Sequence, residues 1–483
     1  MVVSASLALM EFPLNFLEKA LRDVFGAKER VIRLNQRAAE LVHDYLQERV
    51  SQTVYVLKPQ EVSEERVYVN GNQAVALGKL VAGCTFQSYY PITPASDESV
   101  FLEANENIPL HLPAEVSGEG KGVRGSVLPD GSKGGVVVFQ TEDEIAAITS
   151  ATGAALAGAR SATSTSGPGF SLMAEGLGWA GMNEVPVVVT LYQRGGPSTG
   201  LPTRHEQGDL LFACFGGHGE FPRIVYSSGD LEEVFYDTIR VFNYAEIFQL
   251  PVIHILDKAL ANSVQTVPKY DPERVPIHRG KLVNEIPPGN GYQRFELTPD
   301  GISSRVRLGT PGGVFWNTGD EHNTQGHIAE EPANRDRMME KRMRKMETIL
   351  QTLPREEKVQ VFGAPDARFV ILSWGSPKGA IQEAIQILAD EGFAFKFVYA
   401  KLLWPVPARE LKEEMRGADI RIVIEQNFSA QFAGLVTQKT GVFFDYEIVK
   451  YNGRPMSLSE ILGALRKIAR GESPKRTVLR HGH

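Results

Sequence analysis

The chain has 483 residues, with 51 Lys and Arg against 58 Asp and Glu, so its formal net charge is −7. That balance argues against nucleic acid or an anionic membrane as its main partner. A hydrophobic content of 42% and a charged content of 23% are ordinary for a globular chain, and the length allows roughly three domains. Two cysteines, Cys84 and Cys214, are too few for a disulfide framework and fit a reducing, cytoplasmic setting. They also cannot hold a four-cysteine iron–sulfur cluster within this chain.

The apolar start, Val2 to Met10, lacks a basic leader and meets Glu11, too short to span a bilayer and a poor signal peptide. Residues 12 to 50 read as two amphipathic helices. Pro13 stands at the first helix start, Leu14, Leu17, Leu21 and Val24 form its stripe, and Gly26 stops it. With little of their own to pack against, they read as the tail of something larger. Residues 51–66 read as a polar linker.

Residues 67–265 alternate strand and helix, which implies parallel strands with crossover helices and ligands at the carboxyl ends of the strands. The expected strands include a buried one at 136–140, then 162–166, 185–192, 223–226 and 251–256. Helices are expected at 143–159, 168–182 and 231–248. The 116–135 stretch breaks the pattern with seven glycines and reads as a mobile surface insertion. An extended connector follows at 266–365, with six prolines between Pro268 and Pro299 and a charged helix at 331–353. In the polar loop before that helix, His322 and His327 sit five residues apart, which suits loop-structural roles better than metal ligation. Residues 366–483 read as a second α/β unit.

Four turns stand out. In Tyr90-Pro91-Ile92-Thr93-Pro94, two prolines fix their own φ and push Tyr90 and Thr93 into extended geometry, so the Thr93 side chain is aimed by a stiff backbone. Ser96 is expected to cap the helix that follows. Thr141-Glu142-Asp143-Glu144 opens a helix after a strand. It reads first as a capping box, Thr141 at the N-cap and Glu144 at N3. The alternative is a carboxylate at the end of a strand, where a heterocyclic cofactor could sit. Ser166-Gly167-Pro168-Gly169 allows close approach of a ligand to the backbone, with hydroxyls to cap the helix or touch that ligand. Finally, Arg194 ends a buried strand and precedes a glycine-rich loop, an arrangement suited to carboxylate or phosphate capture. The chain has no Gly-Asp-Gly diphosphate–magnesium motif, no Gly-x-Gly-x-x-Gly loop and no convincing Ser/His/Asp set.

Tyr90 to Ser96, Gln140 to Glu144, Thr165 to Gly169 and Gln193 to Thr203 together resemble the α subunit of 2-oxoacid:ferredoxin oxidoreductases. Gly309 to Gly313, Gly319 to His322 and Val423 to Asn427 are similar to it as well. The resemblance implies an α/β chain of two thiamine-enzyme-type domains with parallel-rich sheets. Residues 67–265 would be the pyrimidine-binding domain and 366–483 the transketolase C-terminal-like domain. Residues 1–50 would be the helical tail of a γ-like domain, with a separate γ domain among the partners.

In such a family a β subunit holds the diphosphate of thiamine diphosphate, its Mg²⁺ and a 4Fe–4S cluster, and electrons pass to ferredoxin. The assembly would be a dimer of heterodimers. Thr93 would contact the 2-oxoacid, and Tyr90, Pro91, Ile92, Thr93 and Pro94 would line the substrate and coenzyme A site. Glu144 would hydrogen-bond the aminopyrimidine ring, with Ser166 and Gly167 beside the cofactor. Arg194 would bind the substrate carboxylate. The implied reaction is oxidative decarboxylation of a 2-oxoacid to acyl-CoA, with 2-oxoglutarate favoured over pyruvate or broad specificity. Two rivals are a thiamine-dependent transketolase-like transferase and a non-catalytic, coenzyme A-binding scaffold.

Overall fold

The computed structural model describes residues 1–50, 55–108, 135–286 and 291–481. The expected insertion at 116–135 lies outside the described residues, except for Gly135. The chain divides into two compact units, Met1–Glu65 and Arg66–His483.

The first unit is helical: α1 (Val2–Leu9), α2 (Asn15–Phe25) and α3 (Glu29–Gln47). The apolar start is thus a helix in its own right. It packs on α3 through buried Ala8 and through Ser4, whose hydroxyl donates to the Ala39 carbonyl. Helix α2 ends at Gly26, whose φ of 52° suits glycine.

The second unit begins with β1 (Arg66–Asn70), α4 (Gly71–Val81), β2 (Phe86–Tyr89), α5 (Ser96–Glu103), β3 (Val137–Gln140), α6 (Glu144–Leu156) and β4 (Ser161–Ser166). It continues through α7 (Gly167–Leu172), α8 (Ala174–Met182), β5 (Val187–Gln193), α9 (Leu210–Phe215), β6 (Ile224–Ser227), α10 (Leu231–Phe248), β7 (Val252–Asp257), α11 (Lys258–Asn262) and β8 (Val264–Pro268). After the short β9 (Leu282–Val283) and β10 (Arg305–Val306) come α12 (Pro332–Thr352) and α13 (Arg355–Lys358). The last part holds β11 (Val359–Gly363), β12 (Phe369–Ser373), α14 (Lys378–Asp390), β13 (Phe395–Ala400), β14 (Leu402–Trp404), α15 (Ala408–Glu414), β15 (Ile420–Glu425), α16 (Gln431–Thr440), β16 (Tyr446–Val449), α17 (Leu458–Ala469) and β17 (Arg476–Val478).

Two sheets carry this unit. The first has the order β14-β6-β7-β5-β4-β2-β3, parallel except for β14. The second has the order β11-β13-β12-β15-β16-β17, parallel except for β11. Strand β14 comes from the C-terminal half of the chain yet pairs with β6, so the first sheet is completed by residues far away in sequence. One apolar core runs from Val187, Val189 and Ile253 of the first sheet to Val370, Leu372 and Val398 of the second.

Strand β4 reads Ser-Ala-Thr-Ser-Thr-Ser and is buried at every position. Small residues let helices approach closely, and buried hydroxyls need partners. Ser161 donates to the Ala151 carbonyl at 2.6 Å, and Ser88 of β2 donates to the Ala147 carbonyl at 2.6 Å. Ser164 meets Ser99 at 3.0 Å. Alanines 147, 151 and 155 give α6 the smooth face this requires.

Several expectations need correction. The 136–140 strand is not buried: β3 is the sheet edge, and Val137 and Phe139 are exposed. The helix expected at 168–182 is two helices, broken at Met173. Ser96 does not cap α5; Ala95, already in helical backbone geometry, takes the N-cap position, and the Ser96 hydroxyl donates back to the Ile92 carbonyl at 3.2 Å. His322 is buried against the Phe295 ring, 4.2 Å between centroids. Among the described residues no group of three or more His, Cys, Asp or Glu is arranged to hold a metal ion, and no helix is long and apolar enough to cross a membrane.

Candidate active site

The four turns after β3, β2, β4 and β5 lie side by side, because those strands are neighbours and parallel. Tyr89 stands level with Gln140 and Ser164, Ser166 with Tyr192, and Gln193 with Asp257. The residues singled out in sequence therefore share one carboxyl edge, where open α/β sheets bind ligands.

At β3 the capping-box expectation fails. Asp143, not Thr141, is the N-cap of α6, and its carboxylate accepts from the Ala146 amide at 2.7 Å. Thr141 instead joins two turns: its amide donates to the Tyr89 carbonyl at 2.8 Å, and its hydroxyl lies 2.8 Å from the Asp143 carbonyl and 3.1 Å from that of Tyr89. Glu144 sits at the first helical position, released from any capping-box role, with only 6% of its surface exposed. Burial pushes its carboxyl up, and the Asp143 charge adds to that against a local backbone hydrogen bond. Gly169 faces it across the β4 turn. A Cβ there would overlap both the Glu144 carboxylate and the Thr165 hydroxyl. This turn is shaped around a carboxylate, and the Ser166 hydroxyl beside it is buried without a hydrogen-bond partner. A buried carboxylate held only by its local backbone, on the same edge as an unpaired hydroxyl, suits the polar edge of a heterocycle.

At β5, Arg194 is 7% exposed, and its Nη1 donates to the Thr93 carbonyl at 2.7 Å. The stiff turn and the strand-end cation are thus tied directly, though through the Thr93 backbone. The Thr93 side chain is exposed, as are Tyr90 and Pro91, whereas Ile92 packs on the cluster around Tyr192 and Leu256 and Pro94 is buried. Arg194 Nε is buried with no partner, leaving that edge of the guanidinium for a ligand. Arg194, Gly167, Pro168, Ser198 and Asp209 line a cleft of ≈ 140 Å³. Tyr90, Pro91, Ile92 and Thr93 are not among the residues lining this cleft. A larger groove of ≈ 630 Å³, over β11 and α14, has no titratable residue in its walls.

Beneath the turns lies a buried polar network. Lys79 pairs with Glu98 and donates to Gln87 at 3.0 Å, while the Tyr192 hydroxyl donates to Glu98 at 2.8 Å. It links α4, α5 and β5, so the Thr93 turn and the Arg194 strand share one anchor.

The sequence reading missed the segment His205–Asp209. Glu206 and Asp209 flank the cleft loop, and Gln207 bonds the second sheet: its amide donates to the Gln426 carbonyl at 2.7 Å, and its side chain accepts from the Gln426 amide at 3.1 Å. Asn427 donates to the Gln207 carbonyl at 3.2 Å. Buried Glu425 accepts from the Phe432 and Ala433 amides, which fixes the end of β15. The Val423 to Asn427 stretch therefore holds the loop that follows Arg194. The only signal available in sequence was three titratable residues, His205, Glu206 and Asp209, within the five that follow Arg204.

Residues 77–341 match the family model for pyruvate flavodoxin/ferredoxin oxidoreductase, thiamine diphosphate-binding. The chain is 44% identical to 2-oxoacid:ferredoxin oxidoreductase 1, subunit alpha, of Sulfurisphaera tokodaii, over 99% of this chain and 73% of that one. It is 31% identical to the 2-oxoglutarate synthase subunit KorA of Methanothermobacter thermautotrophicus, over 84% of this chain and 100% of that one. Its backbone is similar to that of 2-oxoglutarate:ferredoxin oxidoreductase from Magnetococcus marinus with 2-oxoglutarate, coenzyme A and succinyl-CoA bound. That match has a TM-score of 0.85 and 34% identity, and covers 97% of this chain and 77% of that one.

Proposed function

The chain belongs to the α subunits of the 2-oxoacid:ferredoxin oxidoreductases, and on that premise we propose that its β2–β5 edge binds the 2-oxoacid and the pyrimidine end of thiamine diphosphate. The family is one of oxidoreductases, which sets aside both the transferase and the scaffold alternatives. The preferred substrate in this proposal is 2-oxoglutarate, and the products are succinyl-CoA, CO₂ and reduced ferredoxin.

The observation that carries the reading is the convergence of Glu144 and Arg194 on one sheet edge, both buried, with Arg194 Nε and the Ser166 hydroxyl left without an internal hydrogen-bond partner. Thiamine diphosphate, when bound, supplies the carbanion centre that adds to the 2-oxo group and the electron sink for loss of CO₂. The chain's own residues orient and neutralise. Glu144, its carboxyl raised by burial, hydrogen-bonds the aminopyrimidine and holds or returns a proton there. Gly169 and Ser166 leave room and a hydroxyl beside it. Arg194 takes the substrate carboxylate, and its bond to the Thr93 carbonyl holds the Tyr90–Pro94 turn over the site. A separate β subunit holds the diphosphate, Mg²⁺ and a 4Fe–4S cluster, since this chain has two buried, dispersed cysteines and no Gly-Asp-Gly. The proposed assembly is a cytoplasmic dimer of heterodimers, with residues 1–50 as the tail of a γ-like domain.

The test is reconstitution. Co-expressed with its β subunit, the chain supports coenzyme A- and thiamine diphosphate-dependent reduction of ferredoxin by 2-oxoglutarate, assayed beside pyruvate. No reduction with any 2-oxoacid by a cluster-loaded complex would overturn the reading.

A further inference from the structure

Asp209 stands across the cleft from the loop that carries Arg194. Its backbone amide donates to the Gln193 side chain at 3.1 Å, which fixes it relative to the end of β5. It occupies the N-cap of α9 yet makes no capping hydrogen bond, unlike Asp143, Asp230 and Asp257, which all cap their helices. Its Oδ2 is buried with no hydrogen-bond partner. The carboxylate presses against the Gly167 backbone, where a Cβ would stand 2.8 Å from Oδ2. Both groups line the ≈ 140 Å³ cleft with Arg194.

The cleft therefore holds one cation and one carboxylate before any substrate enters. Among the described residues, the charges that bear on Asp209 are Arg194 at the end of β5 and Glu206 on its own loop; the facing residues of the β4 turn and of α16, Gly167, Pro168, Ser171 and Gln431, are neutral. A substrate carboxylate at Arg194 puts a second anion in a small, desolvated space, and two carboxylates sharing a site cannot both stay ionised.

We propose that Asp209 couples 2-oxoacid binding to uptake of one proton: the substrate carboxylate replaces the Asp209 charge beside Arg194, and Asp209 is protonated from solvent as it binds. This rests on the assignment of Arg194 as the carboxylate site. The balance is simple: an anionic substrate and one proton enter, no bond to carbon changes, and the cleft keeps its net charge. Asp209 acts here as a specificity residue, since it admits a carboxylate only together with a proton and gives an uncharged ligand no such penalty. In the free chain, burial pushes the Asp209 carboxyl up to about 6 against the pull of Arg194. Burial and then the Asp209 charge push Glu206 to about 7, with a backbone hydrogen bond at Gly196 opposing. Substrate affinity is then highest below the Asp209 midpoint and falls as pH rises through it.

The test is titration calorimetry of the full complex with 2-hydroxyglutarate, which carries the same carboxylates but no ketone to react. Runs in buffers of different ionisation enthalpy report proton uptake directly, without any variant. Wild type is expected to take up close to one proton at pH 7, and its affinity to fall about tenfold per pH unit above the Asp209 midpoint until the bound-state midpoint is passed. Asp209→Asn is expected to bind without proton uptake and with a flat profile, while Glu206→Gln keeps the uptake. No proton uptake in wild type, or undiminished uptake in Asp209→Asn, overturns the proposal. Arg194→Ala separates the two layers: if it binds the probe as well as wild type, the carboxylate assignment itself is wrong. If it loses binding while Asp209→Asn still takes up a proton, only the role of Asp209 fails.

Discussion

Arg194→Ala removes two things at once. It deletes the cation that meets the substrate carboxylate, and it cuts the 2.7 Å bond to the Thr93 carbonyl. Charge-assisted hydrogen bonds contribute about 1.5–3 kcal/mol, and 1.4 kcal/mol is tenfold, so the first loss alone lowers kcat/KM for the 2-oxoacid by roughly one to two decades. The second loosens the Tyr90–Pro94 turn and adds up to about another decade. Arg194→Lys restores a charge but not a planar fork, and recovers only part. The assay is steady-state ferredoxin reduction by the reconstituted complex, varying 2-oxoglutarate and then coenzyme A. The KM for coenzyme A and the cluster absorbance stay near wild type. The surface residue Arg204, ten positions on, is the control: Arg204→Ala has the smaller effect. Wild-type 2-oxoacid kinetics in Arg194→Ala would refute the reasoning and remove the substrate from this edge.

Further outcomes follow from the same geometry. Gly169→Ala forces a methyl group into the Glu144 carboxylate and the Thr165 hydroxyl; the overpacking costs about 1–3 kcal/mol by denaturant titration and lowers thiamine diphosphate-dependent turnover more than tenfold. Glu98→Ala strands the Lys79 ammonium in the core and destabilises by about 3–5 kcal/mol, measured by chemical denaturation; an unchanged midpoint would show that the pair is not an anchor. Glu321 is clamped by Nη1 and Nη2 of Arg342, at 2.9 and 2.6 Å, and by Arg335, which hold its carboxyl at about 2 against the upward push of burial. Because an unfolded Glu titrates near ~4.3, this contribution is complete above that pH and is lost as pH falls towards 2. Glu321→Gln should therefore flatten the acid limb of the stability curve over that window, seen as melting temperature against pH. The chain purified without its partner is colourless and inactive, as expected of two buried cysteines; a visible cluster band from the isolated chain would contradict this.

How far these features were legible in sequence depended on how local they were. The alternation of apolar strands with helices is a short-range pattern, and it located the strand that carries Arg194 to within a few residues. Pro91 and Pro94 announced a stiff turn for the same reason. Long-range facts were not legible. Nothing in Leu402–Trp404 says that it pairs with β6, more than 170 residues earlier. The exposure of β3 follows from its place at the sheet edge, which its Val-Val-Phe run does not reveal. That Asp143 and not Thr141 is the N-cap shows only in the fold, where the Thr141 hydroxyl lies between the Tyr89 and Asp143 carbonyls, as a donor and not as the acceptor a cap needs. Asp209 escaped notice because it lies in an irregular segment. Its significance comes from Gly167 and Arg194, which only the folded sheet brings beside it.

The central claim is that Glu144 is part of the cofactor site and not a helix-capping residue. The most direct measurement is the rate of hydrogen–deuterium exchange at the thiazolium C2 of thiamine diphosphate in the reconstituted complex, wild type against Glu144→Gln. A general acid–base contact contributes about 10²–10⁴-fold, so exchange should slow by that factor. Loss of a first-turn acid costs the fold only about 0.3–1 kcal/mol, so the melting temperature should barely move. Exchange at the wild-type rate in Glu144→Gln, with the cofactor still bound, would contradict the account.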